Sequence, residues 1–514
     1  MCERCSGSVP KPPDKSGFKR KLGPRVLSCI GADRTASFLL TGFCLAALLV
    51  GGLNGCTTYR SEPLEPAKVA QQFDSRSMSN PGLCQYLGAN IGADLTSCPP
   101  PQWNLAALTL VGFYYSPDIS VADARVREAD ASVITARAVP NPTVHIGPQF
   151  REAISPNFAP WGIGSFNLDL PIETAGKRGY RTAEARRLAD AARLAAGETA
   201  WAVRSRIRAA LLQYLLDVRE RDLSAREAET LAQVAKLFEQ RVNAGGASQP
   251  ELDLAQSSLQ GAKLKVIEIV ARVSADRNVL SAALGVPLQA IDGAVFSWPG
   301  FDSPPGQHSL SPTEIQRLAL LNRIDLRRQL AQYAAADEAL KLEIAKQYPD
   351  VNITGGYSWE GGENIFELGP SAVLPVFNQN QGPIAEAEAR RREVAAQFLA
   401  MQAGIIEQSQ TTLTRYRGAL GALDAARMAA QFQAKRLRQA RRQVAAGESH
   451  TVVLAQTKLQ DLSAQQGLLD SLTKAQSALG ALEDSIQRPL DSGDIGSFTF
   501  PSAQPNSWQA ANTQ

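Results

Sequence analysis

Arg241–Gln260 reads RVNAGGASQPELDLAQSSLQ, and Arg442–Gln460 reads RQVAAGESHTVVLAQTKLQ. In both, an Arg is followed at the fifth position by Gly-x-Ser (Gly246-Ala247-Ser248; Gly447-Glu448-Ser449). Both then run on to Leu-Ala-Gln (254–256; 454–456) and Leu-Gln (259–260; 459–460). Upstream the correspondence continues. AEARR occurs at 183–187 and at 387–391, Leu170-Pro171-Ile172 answers Leu374-Pro375-Val376, and Pro142, Val144 and Ile146 answer Pro349, Val351 and Ile353. The order never changes, so the chain is a tandem duplication of about 200 residues, too long a period for a solenoid.

Each copy follows one plan. A helix-like run comes first (118–139; 313–347), then two short alternating segments, then a long helical pattern broken once by a glycine-bearing turn. From Arg181 to Arg241 there is one Gly and no Pro, and Ala, Arg, Glu and Leu dominate, a composition that favours helix. Val203, Ile207, Leu211, Tyr214 and Val218 step by three and four, as do Leu468, Leu472, Ala475, Leu479, Leu482 and Ile486. That is a coiled-coil seam. At 1.5 Å per residue the first run extends roughly 90 Å, more than a compact domain needs.

The short segments alternate with period two, as strands with one apolar face do. Val144, Ile146 and Phe150 oppose His145, Gly147 and Gln149; Phe166, Leu168 and Leu170 oppose Ser165, Asn167 and Asp169. In the second copy Val351, Ile353, Tyr357 and Trp359 oppose Asn352, Thr354 and Ser358, while Phe366, Leu368 and Leu374 oppose Glu367 and Ser371. The spacing predicts one hairpin per copy, at 143–171 and 350–376, with loops at 152–160 and 360–363. Strands of this length match a transmembrane strand of about 9–11 residues. Two hairpins cannot close a barrel, and an open edge cannot face lipid. If the strands span a membrane, several chains share one barrel.

Composition narrows the function. The 514 residues are 44 % hydrophobic and 20 % charged, with a formal net charge of +3. The first 55 residues hold eight Lys/Arg and three Asp/Glu, and the remainder is nearly neutral. There is no bulk electrostatic reason to bind nucleic acid, and three His argue against a His-built metal site. Gly162-x-Gly164 lacks the third glycine of a dinucleotide loop. Ser449-His450 has no acid placed to complete a triad. The chain is not an enzyme on this reading, and no cofactor or metal is called for.

Lys19, Arg20, Lys21, Arg25 and Arg34 precede an apolar run, Phe38–Leu53, that ends at Asn54-Gly55-Cys56. This is the layout of a secretory signal, and the ending resembles a bacterial lipobox in which Cys56 carries lipid. Four of the seven Cys would leave with residues 1–55. Cys84 and Cys98 then remain as an even pair in an oxidising compartment, a candidate disulfide.

Over about 105–488 the chain resembles the TolC-type outer membrane factors, on the lipid-bearing Cys56, the duplicated helix–hairpin–long-helix plan, the Pro142/Pro349 entries and the two Arg-x4-Gly-x-Ser turns. Leu170–Arg178, LPIETAGKR, further resembles the CzcC-like branch that serves heavy-metal efflux pumps. The resemblance implies a mixed α and β membrane protein. A homotrimer would share one β-barrel, four strands per chain, continued by a long α-helical coiled-coil tunnel into the periplasm.

It also implies a bacterial outer membrane location and two partners, a periplasmic adaptor protein and an inner-membrane pump. The adaptor would dock on the helix tips at Gly245, Gly246, Ser248, Gly447 and Ser449. The family often places acids just past the second tip. Here Val452 and Ala455 stand there, so Glu251, Asp253 and Glu448 are the candidate gate carboxylates. The organisation is then 1–55 signal, 56–104 lipid-anchored extension, 105–285 first repeat, 286–312 connector, 313–488 second repeat and 489–514 flexible tail. Two other readings share these features: a lipid-anchored periplasmic coiled-coil scaffold and a type I secretion exit duct.

Overall fold

Ala, Arg, Glu and Leu carry one helix unbroken from Lys177 to Asn243, 67 residues, or about 100 Å of axis at 1.5 Å per residue. A computed structural model describes residues 57–91, 97–150, 161–306, 311–360, 363–448 and 450–490. The chain divides after Pro66 into two units. Of the first, the described residues 57–65 have no regular structure. The helices are α1 (Pro66–Asp74), α2 (Pro81–Ile91), α3 (Leu105–Tyr115), α4 (Pro117–Arg137), α5 (Lys177–Asn243), α6 (Gln249–Leu284), α7 (Pro312–Asn322), α8 (Ile324–Ala345), α9 (Gln381–Ala445) and α10 (Thr451–Ile486). The strands are β1 (Thr143–Phe150), β2 (Trp161–Ile172), β3 (Val351–Glu360) and β4 (Glu363–Ala372). Among the described residues no single helix is long and apolar enough to cross a membrane.

Two boundaries differ from the sequence reading. The run expected at 118–139 ends at Arg137 and is preceded by a separate apolar helix, α3. The run expected as one helix over 313–347 is two, α7 and α8. The break falls at matching places in the two copies, Ser116 (φ −65°, ψ 125°) and Arg323 (φ −60°, ψ 119°). At Ser116 the following proline disfavours the helical conformation. At Arg323 no proline marks the break. Instead the Ile324 N–H donates to Gln487 Oε1 at 2.6 Å, and the Arg323 guanidinium grips Asp325 at 2.5 and 3.0 Å. These partners lie far along the chain or on the side chain itself, which periodicity does not register. Both copies open with a matched cap: Asn104 Oδ1 accepts from the Ala107 N–H at 2.8 Å, and Ser311 Oγ from the Glu314 N–H at 3.1 Å, satisfying donors that the first turn leaves unpaired.

The two hairpins join into one antiparallel sheet of order β1-β2-β3-β4. The seam is β2–β3, from Ser165↔Ser358 to Ile172↔Val351. Within the chain β1 and β4 are the edges. β4 stops at Ala372, so Leu374 lies beyond the strand face assigned to it. Register places Val144, Ile146, Phe166, Leu168, Leu170, Ile353, Tyr357, Phe366 and Leu368 on one face, and His145, Asn167, Asp169 and Thr354 on the other.

The core lies in the helical half. Val203, Ile207 and Leu211 of α5 are fully buried, against Leu108 and Val111 of α3 and Leu280 and Leu284 of α6. A second cluster joins Ile315 of α7, Leu413 and Tyr416 of α9, and Leu479, Leu482 and Ile486 of α10. The connector is packed: Ile291, Trp298 and Phe301 are buried, and Trp103 and Phe296 form a parallel bridge. Helices α2 and α3 pack against the first core. A disulfide joins Cys84 to Cys98, Cα atoms 5.7 Å apart, and Leu83 and Leu87 enter the first core. Gly285 closes α6 with φ 74°. A β-carbon there would lie 2.8 Å from the Tyr115 carbonyl oxygen, so close approach and left-handed backbone both require glycine.

Candidate functional site

The sheet is the first candidate. Large side chains cover its apolar face, yet among the described residues nothing covers them: Ile146 is 59 % exposed, Phe366 79 % and Leu368 82 %. A soluble sheet buries such a face, and a contiguous exposed patch of this kind marks an interaction surface. The opposite face carries a polar chain across three strands. His145 Nε2 lies 3.0 Å from Asp169 Oδ2, and the Thr354 hydroxyl donates to Asp169 Oδ1 at 2.6 Å. Among the described residues both edges present unpaired backbone, which a strand in lipid cannot tolerate.

The base of the sheet is clamped to the helices. Lys177 Nζ donates to Asp350 Oδ1 at 2.7 Å and to the Tyr348 carbonyl at 2.6 Å. The Thr174 N–H reaches the same carboxylate at 2.9 Å. Burial opposes the ionised Asp350 carboxylate; the Lys177 and Thr174 bonds outweigh it and hold its pKa below the usual value. The LPIETAGKR stretch therefore supplies the joint between strand and helix: Thr174 and Lys177 reach into the second repeat, and Gly176 starts α5 at φ 74°.

The two helical tips are the second candidate, at the far ends of α5 and α9 from the sheet. In the first, Gly245 (φ 72°) reverses the chain. The Gly246 N–H donates to the Arg241 carbonyl at 2.7 Å, and Arg241 Nη2 returns a bond to the Gly246 carbonyl at 3.0 Å. Ser248 and Glu251 form a capping box at the start of α6, 2.7 Å from the Ser248 N–H and 2.9 Å from its hydroxyl to Glu251 Oε2. The Ser248 N–H first, then its hydroxyl, lowers the Glu251 pKa. Asp253 accepts from Gln249 Nε2 at 2.9 Å. In the second tip Gly447 (φ 76°) makes the reversal, and the Glu448 N–H donates to the Gln443 carbonyl at 2.8 Å.

Two details correct the sequence reading of the tips. Gly246 does not adopt a left-handed conformation; Gly245 and Gly447 do. The equivalent turn residues are thus Gly245 and Gly447, one position away from the Gly246–Gly447 match, because the hydrogen-bond pattern and not the local identity fixes equivalence. Glu251, Asp253 and Glu448 are all exposed, and the first serves as a helix cap. Cys56 and Ser449 lie outside the described residues.

Sequence reading missed a buried ionic cluster that ties the copies together. Arg204 and Arg208 of α5 both reach Glu483 Oε2 of α10, at 3.1 and 3.2 Å. All three side chains are nearly inaccessible. Arg204 stacks on Trp201 and Arg208 on Trp298, at 4.7 and 5.1 Å. The available signal was two arginines four residues apart beside the apolar seam Val203–Ile207–Leu211.

With this geometry in place, comparison with known proteins is decisive. The profile of the outer membrane efflux protein family matches residues 115–286 and 315–486, one match per repeat. The chain belongs to the outer membrane efflux protein family. It is 23 % identical over 286 residues to the cobalt-zinc-cadmium resistance protein CzcC of Cupriavidus metallidurans, covering 55 % of this chain and 65 % of that protein. It is 25 % identical over 378 residues to the nickel-cobalt-cadmium resistance protein NccC of Alcaligenes xylosoxydans xylosoxydans, covering 69 % of this chain and 80 % of that protein. Its fold is similar to that of the outer membrane protein VceC of Vibrio cholerae, with a TM-score of 0.60 at 17 % identity, over 74 % of this chain and 95 % of VceC.

Proposed function

We propose that the chain is the outer membrane channel of a tripartite efflux system, a passive exit duct fed by an inner-membrane pump and a periplasmic adaptor. One observation carries the reading: a four-stranded sheet with an uncovered apolar face and two open edges, set at one end of helices about 100 Å long. Lipid is the solvent that suits the apolar face. Edge pairing with further copies is what lipid demands of β1 and β4. A closed barrel needs at least about eight strands, and three chains supply about twelve. The polar face, with His145, Asp169 and Thr354, then lines the lumen, and the α5–α6 and α9–α10 pairs form the tunnel wall. Uncovered apolar strands weigh against a periplasmic scaffold.

Cys56 is the acylated residue that anchors each protomer in this reading, and the tips are where the adaptor docks. The names of CzcC and NccC point to divalent transition-metal cations as the cargo class. The test is mass measurement in mild detergent with conductance in planar bilayers. A trimer that conducts is expected. A monomer with folded strands and no conductance overturns the shared barrel.

A further inference from the structure

The two tips have the same backbone and different charge. Aligned on Gly245 and Gly447, Lys435, Arg436, Arg438, Arg441 and Arg442 of the second tip stand where the first has Gln233, Val234, Lys236, Glu239 and Gln240. The alignment is physical: Ala235 and Leu437 are both buried at equivalent places, and Val242 and Val444 are both half-buried. Over 233–253 the first tip carries two basic and three acidic residues, and over 435–455 the second carries five and one. The excess is therefore a property of the second tip and not of the repeated helix.

All five basic side chains are exposed, and among the described residues none has an ion pair. Arg436 makes one long bond, to Gln433 at 3.4 Å. Elsewhere on α9 several arginines are paired, among them Arg391 with Asp337 at 2.9 Å, Arg392 with Glu388 at 3.2 Å and Arg427 with Asp424 at 3.0 Å, though among the described residues Arg415 is not. Lys435, Arg438 and Arg442 fall at i, i+3 and i+7, one outward stripe flanked by Arg441. Like charges at that spacing cost helix stability. The helix dipole rewards cations only in the last turn, which leaves Lys435, Arg436 and Arg438 unaccounted for.

We infer that the second tip is a docking surface for a partner protein whose contacting surface carries a cluster of carboxylates, while the first tip contributes little electrostatic attraction. The inference rests on the reading of the chain as an efflux duct and adds the chemistry of the partner. A protein suits the position better than the lipid that holds the sheet, because α9, which begins at Gln381, places the patch about 80 to 90 Å of helix away from the β4 end. In a trimer the basic and near-neutral tips alternate around the entrance, so a partner with one acidic face is received in one register only.

The test uses the full-length protein in detergent and fluorescent poly-L-glutamate as the probe, with poly-L-lysine and phosphatidylglycerol vesicles as comparisons. Poly-L-glutamate is expected to bind, with affinity falling about tenfold or more between about 50 and about 300 mM NaCl as screening shortens the Debye length. The variant Arg438→Glu/Arg441→Glu/Arg442→Glu should lose poly-L-glutamate and gain poly-L-lysine, whereas Lys236→Glu on the first tip should change little. Unchanged binding in the triple variant overturns the inference, and so does stronger capture of the anionic vesicles than of the polypeptide. Bilayer conductance of the same triple variant separates the two readings: retained conductance with lost binding supports both. Conductance absent from wild type removes the duct but not the measured charge preference.

Discussion

Replacing Glu483 by Gln removes one negative charge from the deepest polar cluster without changing shape. Glu483 Oε2 is shared by Arg204 and Arg208 at 3.1 and 3.2 Å, and Oε1 accepts from the Leu490 N–H at 2.9 Å. The glutamine keeps an acceptor for one donor and leaves two buried guanidinium groups facing a neutral amide. Breaking a buried ion pair by removing one partner costs about 3–5 kcal/mol. That is a factor of roughly 10² to 10³ or more in the folded-to-unfolded ratio. The assay is the urea midpoint of the helical circular-dichroism signal in detergent. The control is Glu388→Gln, whose partner Arg392 is 78 % exposed at 3.2 Å, a pair in the class that contributes little. A second variant, Arg204→Met/Arg208→Leu/Glu483→Leu, removes all three charges and should recover much of the loss. A Glu483→Gln midpoint no lower than that of Glu388→Gln would refute the claim that this cluster holds the two copies together.

Fatty-acid labelling is expected in wild type and absent from Cys56→Ser; labelling that persists in the variant removes Cys56 as the anchor. In planar bilayers, cation selectivity and block by multivalent cations from the periplasmic side should weaken in Glu251→Gln/Asp253→Asn/Glu448→Gln, since like carboxylates around an axis repel and cations relieve them; unchanged block assigns the gate to apolar closure. Asp276 of α6 has its carboxyl pushed up to about 6, first by burial and then by the neighbouring Asp217. A carboxyl raised in the folded state binds its proton more tightly there than in the unfolded chain, so stability is greatest below the unfolded value and falls as pH rises through about 4 to 6. Asp276→Asn should flatten that decline, measured as the urea midpoint against pH; an unaltered slope would show that another group sets it.

Much of the fold was readable because two periods were strong. Steps of three and four along Val203–Ile207–Leu211 became a fully buried seam, and alternation along Val144–Ile146 and Phe166–Leu168–Leu170 became one face of a sheet. The duplication was readable because matches at Pro142/Pro349 and Leu170/Leu374 kept their order. The break at Arg323 was not readable, since its cause is a bond from the Ile324 N–H to Gln487, and neither was the buried cluster, whose Glu483 lies 279 residues along the chain from Arg204. The tip equivalence also misled, because Gly246 matches Gly447 in letters while Gly245 matches it in backbone.

By itself the sequence determined the local states, long helices, short strands and turns, because propensity and periodicity act within a few residues of one another. Only the tertiary structure decided what each face meets. It joined the two hairpins through β2 and β3, left eight of the nine apolar side chains on that face exposed among the described residues, and drew two arginines and a glutamate into the interior. Burial and pairing depend on which distant segments arrive at a surface, and alternation alone is the same for a strand facing a core and a strand facing lipid.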